Sequence, residues 1–112
     1  MLTIQALQDL GVNTKDGMAR CLNNEQFYFR MLTKALGDDS CEKLAAAIEA
    51  NDLDKAFELA HALKGVMGNL ALTPIYDPVN EMLELLRSRT QMDYSPYIKT
   101  ILEKKQALSA LL

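Results

Sequence analysis

The 112-residue chain has no tryptophan, one histidine, two cysteines, three prolines and five glycines. A lone imidazole excludes any site that needs several, and the paired Cys and His spacings of zinc proteins are missing, so no metal or cofactor is expected. Cys21 and Cys41 make no Cys-x-x-Cys pair. With no export signal they are expected to remain free thiols in a cytoplasmic protein. No glycine-rich loop of the kinds that cradle nucleotide phosphates occurs, which argues against P-loop and dinucleotide enzymes. The longest apolar run is a few residues, against the roughly 20 that span a bilayer. The N-terminal MLTIQALQDLG lacks a basic lead-in, so neither membrane insertion nor secretion is expected. Twelve basic against fifteen acidic residues give a net charge of -3 without a long run of either sign, which argues against a nucleic-acid partner.

What the chain does have is apolar content, 49%, enough for one folded domain over residues 1–112. Ala, Leu, Glu, Lys, Met and Gln fill the long stretches, and β-branched residues never alternate with polar ones over a strand length. The fold class is therefore all-α. Two short helices are predicted, Thr3 to Leu10 ending at Gly11 and Thr14 to Leu22 beginning behind Asn13. A third runs from Glu25 to Leu36, with Gly37 placed as a left-handed stop, and a fourth from about Cys41 to Ala50 behind Asp38, Asp39 or Ser40. In the long stretch that follows, Ala56, Ala60, Leu63, Met67 and Leu70 recur at helical spacing. The next helix opens at Thr73-Pro74 or at Asp77-Pro78, since proline is tolerated in a first turn, and a last one follows Ser95-Pro96. Short polar joints make this an antiparallel up-down four-helix bundle with short N-terminal covering helices, and a monomer is expected.

On a wheel of about 100° per residue with His61 at zero, the apolar stripe falls at roughly 180 to 260°, so the imidazole points away from the core. Lys64 lies about 60° to one side, Gly65 about 40° to the other and Gly68 about 20° away. Each glycine costs a helix interior about 0.5 to 1 kcal/mol relative to alanine and fills no core from that face. Bare backbone beside an exposed ring is a trough into which another protein's surface can fit. Neutral imidazole is a nucleophile able to accept a phosphoryl group on nitrogen, and a lysine one turn away sets a positive charge near the phosphate oxygens. Phe57, at about 320°, is either partner-contacting surface or peripheral core.

The run His61, Ala62, Leu63, Lys64, Gly65, continued by Gly68, Asn69, Leu70 and Ala71, resembles the signature of histidine-containing phosphotransfer (HPt) domains. The upstream GVNTKDGMARCLNNEQFYFRML is similar to that family's lead-in, with its Gly-x-x-Arg step and aromatic-rich helix. Two departures are Val66-Met67 after Gly65 and Pro78 early in its helix. The resemblance implies a carrier, not a kinase or ATPase, that relays a phosphoryl group between receiver-domain aspartates, with response-regulator receivers and a hybrid sensor kinase as partners. It makes His61 the phosphoacceptor, Lys64 the supporting charge, and Gly65 with Gly68 the clearance for a receiver. Asn69 and Phe57 join them as partner-contact candidates. A helical-bundle adaptor that docks such partners without covalent chemistry is the alternative expectation.

Overall fold

Four of the seven helices begin where the sequence supplies a side-chain cap. The computed structural model describes residues 1–112. Helix α1 (Ile4–Asp9) starts on Thr3, α2 (Thr14–Arg20) on Asn13 and α3 (Glu25–Gly37) on Asn24. In each, the capping oxygen accepts from the backbone N–H three residues on, at 3.0 to 3.2 Å. Helix α5 (Leu53–Asn69) starts on Asp52 in the same way, and such a cap is worth about 1 kcal/mol. Helices α6 (Thr73–Arg87) and α7 (Ser95–Ser109) instead carry proline in the first turn, while α4 (Ser40–Glu49) follows Asp39, whose carboxylate pairs with Lys43 rather than capping.

Five helices end in one backbone motif. After α1, α2, α4, α5 and α6 the chain turns left-handed at Gly11, Leu22, Asn51, Ala71 and Arg89, with φ between 52 and 92°. At each, two N–H groups fold back onto the last carbonyls, as in Arg89 N to Leu86 O and Thr90 N to Leu85 O. Only one of these five positions is glycine. The stop expected at Gly37 is different: Gly37 is the last residue of α3, without positive φ, and the helix ends because Asp38 turns extended at φ -78°, ψ 151°. Its carboxylate there accepts from the Ser40 hydroxyl, and its carbonyl accepts from Lys105 Nζ at 2.6 Å. Of the two candidate starts for α6 the first is realised, and Pro78 sits inside the helix.

Helices α4 to α7 form the antiparallel bundle, with α5 between α4 and α6, and α7 closing the ring against α6 and α4. Helix α3 lies on α7, and the molecule extends 41 × 23 × 19 Å. One cluster of 24 buried residues runs from Leu7 to Leu108. Lys105 joins α7 to α4, donating to the Glu42 carboxylate at 2.6 Å. No helix is long and apolar enough to cross a membrane. Cys21 and Cys41 are buried free thiols, and burial pushes the Cys41 thiol up to about 11.

The N-terminal helices are fastened over the α5–α6 turn. Tyr28, fully buried, donates its hydroxyl to the Leu70 carbonyl at 2.9 Å, and the Asn13 N–H donates to the Ala71 carbonyl at 3.2 Å. Gly17 gives α2 its seat: a Cβ there would collide with the Tyr28 hydroxyl and ring. Burial of the phenol, reinforced by Cys21 and Asp16, pushes Tyr28 up to about 12. An unfolded tyrosine ionises near pH 10, so the stability held in this proton is full below pH 10 and is lost as pH rises from 10 to 12.

Tyr28→Phe is expected to cost about 1 kcal/mol at neutral pH. It should also flatten the loss of stability between pH 10 and 12, read from denaturant midpoints across that range. Gly17→Ala should cost about 1 to 3 kcal/mol despite alanine's better helix propensity, because the added methyl displaces the Tyr28 ring. Thermal melts of the two variants beside the parent check both expectations.

Candidate functional site

Helix α5 is buried along one stripe only. Ala56, Ala60, Leu63, Met67 and Leu70 are each at most 5% exposed, and His61, Ala62, Gly65 and Val66 on the remaining face are exposed. The His61 side chain is exposed and makes no side-chain hydrogen bond within the protein, so no carboxylate orients the ring. Lys64, one turn on, is half-buried and forms no ion pair, although the chain has five. No group of three or more His, Cys, Asp or Glu side chains is placed to hold a metal ion.

The two glycines of this face have different surroundings. A Cβ on Gly65 would meet nothing within 4 Å, so the fold itself has no need of glycine there. A Cβ on Gly68 would lie 3.3 Å from Cε2 of Tyr76 on α6. The space above Gly68 is partly taken by an aromatic ring of the same chain, although Gly68 still lines the groove beside His61. Of the two, Gly65 alone leaves open backbone beside His61.

Phe57, one turn before His61, is half-buried against the core, and its ring centroid lies 6.1 Å from that of His61. Its packing on the core is the peripheral-core position, one of the two that the sequence left open. The ring has charge beside it: the Arg89 guanidinium sits 4.6 Å from the ring centroid and that of Arg87 5.6 Å. Arg89 is held in place by Asp54 at 2.6 Å and by the Leu86 carbonyl at 2.8 Å. The contacts Gly68–Tyr76 and Phe57–Arg87 are eleven residues apart on both helices and fix the antiparallel register of α5 and α6. On α6, Asn80 has a buried Oδ1 without a hydrogen-bond partner.

His61, Lys64, Gly65, Gly68 and Asn69 line one side of a groove of about 560 Å³. Thr73, Tyr76 and Asp77 of α6 and Asn13, Asp16 and Arg20 line the rest. The sequence pointed to the α5 side and missed the other two. A signal for one was present, since the Gly-x-x-Arg step of the N-terminal segment is Gly17 to Arg20, the residues by which α2 is seated and reaches the groove.

Residues 32–111 match the family model of the Hpt domain. The chain belongs to the Hpt domain family. Hpt domains are helical phosphocarriers that serve histidine phosphotransfer in two-component phosphorelays and interact there with receiver domains and kinases. The match takes in every part of the α5 face, while α1 and α2 precede it. No curated protein and no solved structure matches the chain.

The unequal surroundings of the two glycines lead to a stability test. Gly65→Ala should raise stability by about 0.5 to 1 kcal/mol, the helix propensity gained in open space. Gly68→Ala gains the same propensity but must shift the Tyr76 ring, so it should be less stable than Gly65→Ala. Urea unfolding of the two variants gives the comparison.

Proposed function

We propose that the protein relays a phosphoryl group between receiver-domain aspartates in a multistep phosphorelay, with His61 as the phosphoacceptor. The observation that carries this reading is an exposed imidazole, free of side-chain partners, next to the open backbone of Gly65 on the rim of a groove. The lone pair of its unprotonated nitrogen attacks the phosphorus of an aspartyl phosphate on a docked receiver. The acyl-phosphate P–O bond breaks, its electron pair stays on the aspartate carboxylate, and an N–P bond forms. The other ring nitrogen faces water, to which it can release its proton. Onward transfer is the reverse, with a second receiver's carboxylate as the nucleophile.

Positioning and charge do most of the work in such a transfer. Lys64, unpaired in the protein, supplies a cation to the equatorial phosphate oxygens. Gly65 allows the receiver to approach, and Phe57 and Asn69 border the docking face. Any metal needed for transfer is held by the receiver, and phosphate enters from a hybrid sensor kinase. The protein acts in the cytoplasm as a monomeric carrier with no kinase or ATPase activity of its own.

Mixing the protein with a phosphorylated receiver should produce an acid-labile, base-stable label on the wild type and none on His61→Gln. A label that persists in the variant overturns the assignment. Lys64→Ala should slow transfer about fivefold, the size of a charge interaction worth about 1 kcal/mol at a partly exposed site. Gly65→Gln should raise the KM for the receiver by about tenfold or more, through a steric clash at docking, while leaving the thermal melt intact. Stopped-flow or quench kinetics with one receiver give both values.

A further inference from the structure

The groove beside His61 is closed on its far side by α2, which precedes the matched family stretch and has no part in the chemistry proposed above. Its placement is built: the Gly17–Tyr28 contact, the Tyr28–Leu70 hydrogen bond and the Asn13–Ala71 hydrogen bond hold it against the end of α5. At about 560 Å³ the groove is far larger than one phosphoryl group, so its outer walls are positioned to meet a protein surface.

Arg20 is the one cation on the α2 wall that lines this groove. Its Nε lies 3.1 Å from Asp16, with both side chains about half exposed. An exposed pair one helical turn apart is weak, so the guanidinium can leave it at little cost. A guanidinium also suits a partner carboxylate, which it can hold through two parallel hydrogen bonds. The facing α6 wall carries an acidic side chain, Asp77, and no cation, so Arg20 is the positive group available on the groove's outer walls.

We propose that Arg20 is a specificity-determining contact for the docking receiver: it exchanges Asp16 for a carboxylate on the receiver's surface and thereby selects partners that are acidic where they meet α2. The inference rests on the phosphoacceptor reading of His61, and it concerns docking rather than the transfer step. Asp16, exposed at the rim, is left to solvent when the exchange occurs. Asp77 on the other wall favours a partner that is not acidic there, which sets the orientation in which a receiver lies across His61.

The test compares wild type, Arg20→Glu and Arg20→Lys with two phosphodonors: a phosphorylated receiver that labels the wild type, and the small molecule phosphoramidate. With the receiver, Arg20→Glu should raise KM by about tenfold or more at low salt, with kcat within about twofold. The deficit should shrink as ionic strength rises, and Arg20→Lys should restore part of the loss. With phosphoramidate all three proteins should label at the same rate, and circular dichroism should give equal helix content. A receiver KM unchanged in Arg20→Glu overturns the inference while leaving His61 in its role. A loss confined to kcat, or an equal loss with phosphoramidate, also overturns it, because Arg20 would then act on the phosphoryl group or on the fold. A wild type that takes label from neither donor overturns the phosphoacceptor reading, and this inference with it.

Discussion

The one-sided burial of α5 governs everything built on it. Its stripe of Ala56, Ala60, Leu63, Met67 and Leu70 is enclosed between α4 and α6, and the larger side chains in it each contribute about 1.5 to 3 kcal/mol by leaving water. The alanines at two of the five positions let neighbouring helices come close without a wider stripe. The sector around His61 and Gly65 is thereby left out of core packing. His61 stands in this freed sector, where its ring makes no side-chain hydrogen bond and no side chain covers Gly65.

Around that sector the protein adds walls from distant parts of the chain. The α6 wall is set by the antiparallel register of the α5–α6 hairpin, with Tyr76 over Gly68 at one end and Arg87 and Arg89 over Phe57 at the other. The α2 wall is set by a buried phenol, whose ring fits under Gly17 and whose hydroxyl occupies a carbonyl at the end of α5. The face is therefore exposed but framed. The result is a shaped groove, with Arg20 and Asp16 on one outer wall and Asp77 on the other, rather than a single bare helix.

Much of this was legible in the chain because it is local. Thr3, Asn13, Asn24 and Asp52 mark helix starts through bonds that span three residues, and the α5 stripe follows from a period of 3.6. The direction of His61 was legible for the same reason. What sequence did not reveal depends on meetings between distant residues. The helix end at Gly37 is decided by Asp38 and by Lys105, 67 positions away, and the two prolines near the start of α6 are equivalent until packing selects one. Gly65 and Gly68 have the same meaning on a wheel and differ only because Tyr76 folds over one of them. The contribution of Arg20 to the groove requires α2 to be seated across the α5–α6 turn, and no spacing within α2 encodes that.

The left-handed turns that close the helices point to unused reserve in the design. Leu22, Ala71 and Arg89 adopt a conformation that costs a side-chain-bearing residue about 1 to 2 kcal/mol, and they are not equally free to change. Ala71 anchors the N-terminal segment through its carbonyl, and Arg89 steadies Phe57 and Asp54. Leu22 carries its side chain 86% exposed and is tied to neither. A laboratory lineage selected for heat tolerance would find its least encumbered step there, at a helix-ending turn whose side chain lies in solvent.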